Sequence, residues 1–414
     1  MTPRYDVIVV GARCAGSPTA MLLARKGHRV LVADRATFPK DTVSTLFIHQ
    51  PGLALLQQWG LLDRLRATGT PPVHKMTWDL GPVVLSGSAV PIDGISEVYC
   101  PRRTVLDPVL VEGAAEAGAE VRMGFAIKEL VEDDGKVVGV RGREEGGALV
   151  EERAAIVVGA DGVRSFVGRT VGAEVYNERA PLTSQFYSFY SGIETDGAEI
   201  TFRGASGASL FPTNDGLTLV GSGWPSSDPP EAPSPAEGYL EMLRSLPQVA
   251  ERVFAGRMEE RVAGMADIPN FFRKAHGPGW ALVGDAGYHK DPITAEGITD
   301  AFRDAERFAE AIHRGLSGDE PMEDALAAAQ KQRDDAVLPF YEFTLGVATF
   351  QELPPPTVDL LKAVASDPDA VARFLGIAGG TVTPAEFFSD ESIVRMMAAA
   401  QSSQDASAEN ASIN

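Results

Sequence analysis

The sequence predicts an α/β protein: a domain built on a parallel sheet is interrupted by a mostly antiparallel β domain and followed by C-terminal helices. At the N-terminus, an apolar strand ending at Val10 leads into a glycine-bearing turn, an Ala/Leu-rich helix and a second strand ending at Asp34. Apolar strands that end on glycine return at 154–159 and 280–284. The stretch between these two strands is rich in Phe, Tyr and Thr, which favours β structure. Together these patterns predict a βαβ-based domain with a β insertion.

The first turn, residues 11–16, reads GARCAG and resembles the G-x-G-x-x-G pattern of dinucleotide-binding folds. Backbone N–H groups at the start of the following helix bind a diphosphate, and an acidic residue about 20 positions on, here Asp34, accepts a hydrogen bond from a ribose hydroxyl. Arg13 replaces the middle glycine, and its side chain has two open destinations, solvent or the phosphate charge. Taken alone, the pattern also suits a ligand-free turn of an α/β protein.

The composition narrows the classes of partner. The chain has 414 residues, 44% of them hydrophobic, which is typical of a globular protein with room for two domains. Lys and Arg total 37 against 57 Asp and Glu, and the net charge of -20 argues against nucleic acid and anionic membrane surfaces. We therefore expect a small-molecule substrate.

Cysteine usage and hydropathy bear on metal sites and on compartment. Cys14 and Cys100 are far apart in sequence, and no Cys/His group has zinc spacing, so neither a disulfide framework nor a metal site is expected. No apolar run has the length of a membrane span, and Met1 to Tyr5 leave no room for a signal peptide. The expected location is the cytoplasm.

Composition shifts divide the chain. Strand signals punctuated by Gly and Pro set the β segments apart, and helical patterns dominate the last quarter. The polar Ser/Ala/Asn/Gln tail is expected to be disordered. The predicted boundaries are 1–75, 101–175 and 271–320 for the first domain, 76–100 and 176–270 for the β domain, 321–400 for the helical region and 401–414 for the tail.

Three motifs in this order (residues 11–16 with Asp34, residues 159–165, and Gly284-Asp285 with Pro292 and Gly297) resemble the signature set of a flavoprotein superfamily. Its members are the class A FAD-dependent monooxygenases and their geranylgeranyl-reductase-like and flavin-halogenase relatives. The resemblance covers roughly residues 5–315. It implies a Rossmann-type, glutathione-reductase-like FAD-binding domain, FAD as cofactor, and NADPH or NADH as co-substrate.

The resemblance also implies roles for single residues. The first turn holds the pyrophosphate, Asp34 the adenosine ribose, and Asp285 the ribityl and phosphate part of FAD, while residues 296–298 lie near the pyrimidine edge of the flavin. Arg103 is expected beside the cofactor, just ahead of a helix for which Asp107 is a possible N-cap and Pro108 the first residue. Asp161, with Arg164, matches a motif used for both FAD and the nicotinamide donor; a turn and a salt bridge are the alternative. The expected cofactor-binding residues are Gly11, Ala12, Arg13, Ala15, Gly16, Asp34, Arg35, Arg103, Asp161, Gly284, Asp285, Pro292, Gly297 and Ile298.

Departures from the family patterns bear on the reaction. The residues after Asp285 lack the Ala-His of the hydroxylases, and residues 294–298 (TAEGI) are closer to the reductase-like branch. Phe211-Pro212 matches the reductases' Phe-Pro motif without its preceding tryptophan, and the Trp-x-Trp-x-Ile-Pro motif of halogenases is missing. We expect a monooxygenase in which NAD(P)H reduces FAD and O₂ forms a flavin C4a-hydroperoxide that hydroxylates or epoxidises a small or polycyclic aromatic or unsaturated metabolite. The alternatives are a flavin-dependent reductase of a carbon–carbon double bond and a non-catalytic flavin-binding protein.

Catalytic residues are not identified by any motif, because the cofactor carries the chemistry. His49 and His289 are weak candidates for binding or deprotonating a phenolic group; each is also compatible with a structural role. The β domain is expected to cover the flavin, and its aromatic residues suit an apolar substrate pocket as well as ordinary sheet packing. The pocket candidates are Phe47, Phe186, Tyr187, Phe189, Phe211 and Trp224.

Overall fold

The computed structural model describes the backbone of residues 4–413 and the side chains of residues 4–401. Short 3-10 turns lie at Asn214–Gly216, Gly284–Ala286 and Pro292–Thr294. The strands are β1 (Tyr5–Val10), β2 (Val30–Asp34), β3 (Pro72–Val73), β4 (Met76–Asp79), β5 (Val84–Gly87), β6 (Val98–Tyr99), β7 (Glu120–Met123), β8 (Ala126–Asp133), β9 (Lys136–Arg143), β10 (Val150–Gly159), β11 (Val175–Arg179), β12 (Thr183–Ser191), β13 (Ala198–Arg203), β14 (Ser206–Pro212), β15 (Thr218–Pro225), β16 (Arg257–Met258), β17 (Ala263–Met265), β18 (Asn270–Arg273), β19 (His276–Gly277), β20 (Trp280–Leu282) and β21 (Tyr288–His289). The helices are α1 (Gly16–Arg25), α2 (Gln50–Gln58), α3 (Leu62–Ala67), α4 (Arg103–Glu116), α5 (Phe166–Thr170), α6 (Pro235–Arg244), α7 (Pro247–Ala255), α8 (Gly297–Ser317), α9 (Met322–Ala348), α10 (Pro355–Ala365), α11 (Pro368–Ala378), α12 (Pro384–Phe387) and α13 (Asp390–Ile413).

A parallel sheet with strand order β20-β10-β1-β2-β7 forms the first domain, and β19 closes one edge in antiparallel orientation. Strand β1 lies between β10 and β2, with Val7 opposite both Ile156 and Val30. The hairpin β8-β9 extends the sheet from β10. Because parallel strands end at one edge, the turns after β1, β10 and β20 lie side by side. The predicted α/β class with a Rossmann-type domain is confirmed.

A second sheet, with strand order β16-β12-β15-β14-β13-β4-β5, forms the β domain. Strand β4 pairs in parallel with β13, with Met76 opposite Ala198, so β4 and its neighbour β5 join strands that come from residue 183 onward. The strands from β12 to β15 pair in antiparallel fashion. This sheet lies in the middle of the chain and receives helices on both faces.

The two faces of strand β12 carry different partners, because side chains alternate along a strand. Phe186 stacks on Trp224 with ring centroids 5.1 Å apart, and both pack with Tyr239 of α6. Phe189 belongs instead to the cluster that contains Phe374 of α11. The expectation that Phe186 and Trp224 line the substrate pocket is therefore wrong, since even-numbered positions of β12 face α6 and odd-numbered ones face the C-terminal helices.

Helix α4 begins at Arg103, so Asp107 is not its N-cap and Pro108 lies inside it rather than at its first position. The carboxylate of Asp107 pairs with the guanidinium of Arg103 one turn earlier, at 2.7 Å. An i,i+4 ion pair on one helix face supports the extra turn. Pro108 is the sixth residue of α4, so it cannot donate the helical bond to the carbonyl of Thr104.

The C-terminal segment also differs from expectation. Helix α13 continues to Ile413, whereas the sequence predicts disorder for 401–414; Asn414 lies outside the described residues. No Gly or Pro interrupts the segment from 390 to 413, and its alanines favour helix. None of the helices in the described part of the chain combines the length and apolarity that crossing a membrane requires.

Truncation of Phe186 tests the assignment of the sheet faces. Phe186→Ala removes a buried ring from the α6 side, so the free energy of unfolding should fall by about 3 kcal/mol, while FAD affinity stays at the wild-type value. Urea denaturation and FAD titration measure the two quantities. A variant that loses FAD without losing stability would place Phe186 on the other face.

Candidate functional site

The turn after β1 is held by contacts that only glycine permits. Gly11 has φ +102°, and a Cβ on it would lie 2.4 Å from the carbonyl oxygen of Ala160. A Cβ on Gly16 would lie 1.8 Å from the carbonyl oxygen of Gly11. Helix α1 starts directly behind, with Ala15 at its N-cap, no side-chain cap and no acidic residue in its first turn. Its N-terminal N–H groups and dipole can therefore accept an anion.

The Arg13 side chain points toward helix α4. The sequence had left open only solvent or the phosphate charge as its surroundings. Its guanidinium pairs closely with the buried carboxylate of Asp107 and lies 4.8 Å from the centre of the Phe38 ring. Asp107 also accepts from Arg103, and burial raises its pKa while the two arginines oppose that rise. The Sγ atom of Cys14 lies 3.8 Å from the same carboxylate. Asp107, absent from the predicted site residues, thus ties the first turn to α4.

Asp34 closes β2 beside the first turn. One carboxylate oxygen accepts from the N–H of Ala12 at 2.9 Å and the other from the N–H of Ala36 at 2.8 Å. A carboxylate oxygen has further lone pairs, so these bonds orient Asp34 and leave acceptor capacity for a ribose hydroxyl. Arg35, its neighbour, is exposed.

The second motif packs against the first. Asp161 accepts from the N–H groups of Phe166 and Val167, at 2.6 and 3.1 Å, and so caps the short helix α5. The turn of the structural alternative is therefore present, while no ion pair between Asp161 and Arg164 occurs among the described side chains. Arg164 is exposed. The contribution of this motif to the site is the backbone of Ala160, which touches Gly11.

The third motif completes the cluster from the other side. Gly284 has φ +58°, and a Cβ on it would lie 2.8 Å from the Cβ of Ala15. Asp285 follows, half-buried; burial raises its pKa, and the charges of His289 and Arg103 oppose the rise. The turn containing Pro292 then leads to Gly297 at the start of α8, whose N-cap has no side-chain bond. Ile298, in the first turn of α8, is buried.

Asp291 connects this last turn to the β domain. Its carboxylate accepts from the Thr183 hydroxyl at 2.6 Å, and from the Gln185 side chain and the Ile293 N–H at 3.1 Å each. Its own N–H donates to Asn270 at 2.7 Å. Burial raises the pKa of Asp291 to about 6. The sequence contains no pattern that singles out this aspartate, because its partners come from distant strands.

Two cavities lie between the β sheet and the turn that precedes α8. The larger, about 50 Å³, has a mixed polar and aromatic wall; the smaller, about 10 Å³, is mostly apolar. Phe211 borders both, and Phe47 borders the smaller one with its ring centroid 5.1 Å from that of Phe211. Residues shared by both cavities are Ile200, Phe211 and Ala295.

The other pocket candidates on this face lie outside the two cavity walls. The Tyr187 hydroxyl donates to the carbonyl of Thr42 at 3.3 Å. The Phe189 ring is covered by the guanidinium of Arg102 at 3.8 Å. The loop after α9 and helix α11 supply wall residues that the sequence did not suggest, Phe350 and Ala378. Their contribution depends on chain topology, which their local sequence does not encode.

The two histidine candidates have different surroundings. His49 is 3% exposed and borders the smaller cavity, and burial lowers its pKa to about 4. Its Nε2 lies 3.1 Å from the carbonyl oxygen of Thr294. His289 bonds the carbonyl oxygen of Pro269 at 2.6 Å and stacks beside Phe271. Of these two histidines, His49 borders one of the two cavities described above.

The three turns thus meet around Gly11, Ala15 and Gly284, at the ends of β1, β10 and β20. This convergence is typical of flavin-dependent oxidoreductases with a glutathione-reductase-like domain. The chain belongs to the FAD binding domain family, whose model matches residues 4–341. The resemblance inferred from the three motifs is confirmed, and the protein is an FAD-dependent oxidoreductase.

Two curated proteins are similar in sequence to this chain, and a solved structure is similar in fold. Digeranylgeranylglycerophospholipid reductase of Methanocella arvoryzae is 30% identical over 308 residues, which are 73% of this chain and 75% of the reductase. Menaquinone reductase of Mycolicibacterium smegmatis is 27% identical over 336 residues, 76% and 78% of the two chains. A flavoprotein/dehydrogenase of Cytophaga hutchinsonii has a similar fold, with a TM-score of 0.80 at 19% identity, covering 96% of this chain and all of that one.

Substitution of Gly16 tests the diphosphate site. In Gly16→Ala the new methyl group meets the backbone of Gly11, so the start of α1 must shift away from it. We expect FAD affinity to fall at least about tenfold and stability by about 1–3 kcal/mol, measured by quenching of FAD fluorescence and by urea denaturation. Gly346→Ala, where a Cβ meets nothing within 4 Å, is the control. Unchanged FAD affinity in Gly16→Ala contradicts the assignment.

The buried Asp291 makes stability depend on pH. Its pKa of about 6 in the folded protein exceeds the ordinary value of 3.8, so folding retains the proton. The stabilisation is fully present below about pH 4 and is lost as pH rises through 6, by about 3 kcal/mol. Asp291→Asn removes this titration. In urea denaturation, the free energy of unfolding of the wild type should therefore fall relative to that of the variant as pH rises over that range. A difference that is constant with pH would show that Asp291 does not titrate there.

Proposed function

We propose that the protein is an FAD-dependent monooxygenase that uses NADH or NADPH and O₂ to hydroxylate or epoxidise a small or polycyclic aromatic or unsaturated metabolite. The FAD is expected to lie with its diphosphate at the start of α1 and its ring system between Ala295 and the two cavities. The cofactor residues predicted from the resemblance, from Gly11 to Ile298, are the proposed contacts.

The observation that carries the proposal is the mixed wall of the larger cavity. Ser222 lies opposite Phe186 in the β12-β15 pair, so its hydroxyl faces α6, and the polar side chains of this wall include those of Gln185 and Ser209. The Gln185 amide donates to Asp291 and to Thr183, which leaves its oxygen as the free polar group. Ser209 and the ring of Phe211 border the same space. A plain hydrocarbon chain would leave these polar atoms unsatisfied, whereas an oxygen-bearing aromatic ring pairs with them and packs against Phe211.

The protein's own side chains and helix ends stabilise charge, exclude water and orient the substrate. When bound, FAD accepts a hydride from a nicotinamide and passes its electrons on to oxygen or to a substrate. The uncapped N-terminus of α8 stabilises negative charge at the pyrimidine edge of the reduced ring. Phe47, Phe211 and Ile200 exclude water from the reacting face. Gln185, held by Asp291, orients the substrate.

A second candidate is reduction of a carbon–carbon double bond. It is favoured by the 30% identity to the reductase of Methanocella arvoryzae, which exceeds the identity to the solved structure reported above. The two candidates share the cofactor and the pocket, and differ in whether oxygen is consumed.

Oxygen dependence separates the candidates. The purified FAD protein is incubated with NADPH or NADH and a panel of hydroxylated polycyclic aromatics, under ¹⁸O₂ and under argon, and products are analysed by mass spectrometry. We expect one ¹⁸O atom in the product and no product under argon. Ser209→Ala should raise the KM for oxygenated substrates by several-fold with little change in kcat, because a hydrogen bond contributes about 1 kcal/mol.

Each other outcome has a meaning. A saturated product that forms equally under argon identifies the reductase and contradicts the monooxygenase. Tight FAD binding with no NAD(P)H oxidation and no product leaves a flavin-binding protein without turnover. Phe186→Leu, on the α6 face, is the control for indirect effects of a smaller side chain in the sheet.

A further inference from the structure

We propose that His49 and Gln50 form a subsite for a hydrogen-bond donor, a hydroxyl or amino group, at the end of the substrate. The inference deepens the proposed function, on which it rests, because it names the chemical group by which an aromatic substrate is recognised. From the sequence, His49 is a candidate for binding or deprotonating a phenolic group, and Gln50 is not singled out.

The starting observation is a group of buried polar atoms without partners. His49 is 3% exposed and Gln50 is fully buried. Within the described part of the chain, Nδ1 of His49 and both amide atoms of Gln50 have no hydrogen-bond partner. A buried polar group that stays unpaired costs about 1–3 kcal/mol, so neighbouring unpaired groups indicate a ligand or an ordered water.

The contacts of His49 define what its free atom needs. The Thr294 carbonyl can only accept, so Nε2 of His49 carries the proton that it donates. The low pKa keeps the ring neutral at neutral pH, and Nδ1 therefore presents a lone pair. The occupant must donate a hydrogen bond to Nδ1. A hydroxyl or an amine does so; an ether or a ketone does not.

Gln50 faces the same small space. A Cβ built on Gly379 would lie 3.4 Å from both the His49 Nδ1 and the Gln50 Oε1. The two side-chain atoms therefore lie against the same side of Gly379. The amide of Gln50, unpaired at both ends, can turn to present its oxygen or its nitrogen, so it pairs with either function of a hydroxyl group.

The subsite communicates with the proposed substrate pocket. His49 borders the cavity of about 10 Å³, which has room for about one water-sized group. Phe47 and Ala378, the neighbours of the subsite, border it as well. Its wall shares Ile200, Phe211 and Ala295 with the larger cavity. A molecule whose ring lies in the larger cavity can thus direct its polar end toward His49, beside the turn that precedes α8.

Calorimetric titration of the FAD-loaded protein tests the subsite without turnover. The probes are 1-naphthol, naphthalene and 1-methoxynaphthalene, added anaerobically and without NAD(P)H. For wild type, we expect 1-naphthol to bind about five- to tenfold more tightly than the other two, the usual yield of one buried hydrogen bond. In His49→Phe this preference should disappear while naphthalene affinity is kept.

Two further variants make the result independent of folding defects. Gly379→Ala is sterically mild, because Gly379 has φ -84°, and its methyl group fills the shared space. It should lower the preference for 1-naphthol at least about threefold. Ser392→Ala, which removes another buried unpartnered hydroxyl far along the chain, is the matched control and should bind as wild type does.

The outcomes are distinct from those of the oxygen experiment. Equal affinities of wild type for all three probes, or no binding of 1-naphthol, overturn the subsite and indicate that water alone pairs with His49. A preference that survives in both His49→Phe and Gly379→Ala also overturns it. Loss of the preference in these variants supports the subsite even if the reaction proves to be a reduction.

Discussion

The close approach of backbone turns is the constraint on which the site depends. Gly16 lies against the carbonyl of Gly11, Gly11 against Ala160, and Gly284 against Ala15, each at a distance that leaves no room for a side chain. These contacts bring the ends of β1, β10 and β20 together and leave the start of α1 uncapped. A dinucleotide site follows from that packing, since the helix start supplies both N–H donors and dipole charge.

Hydrogen bonds connect the turn before α8 to two elements on the substrate side of the site. Asp291 joins the turn before α8 to Thr183 and Gln185 on strand β12. His49 joins that turn, through the Thr294 carbonyl, to the start of α2. The position of the flavin, the orientation of Gln185 and the availability of the His49 lone pair are therefore set by one short segment. Because Asp291 and His49 are buried, a change in either of them alters the pocket beside it.

Much of the fold was predictable, because local sequence patterns determine its strands, helices and turns. The βαβ unit, the glycine turns and the β insertion come from periodicity and turn residues. Contacts that join distant segments were not predictable in this way. The partner of Arg13 proved to be Asp107, interpreted from sequence as a helix cap. Phe186 and Trp224 were misplaced because a strand pattern tells which residues alternate, without telling which face meets the cofactor. The roles of Asp291 and Gln50 depend on tertiary contacts alone.

The central claim is that three glycine turns hold one FAD whose ring system faces the cavities bordered by Phe211. A crystal structure of the FAD-loaded protein tests it most directly. The account predicts the diphosphate within hydrogen-bond distance of N–H groups at the start of α1, Asp285 beside the ribityl chain and the flavin ring next to Ala295. A diphosphate bound away from Gly16, or a ring system remote from Phe211, would contradict it.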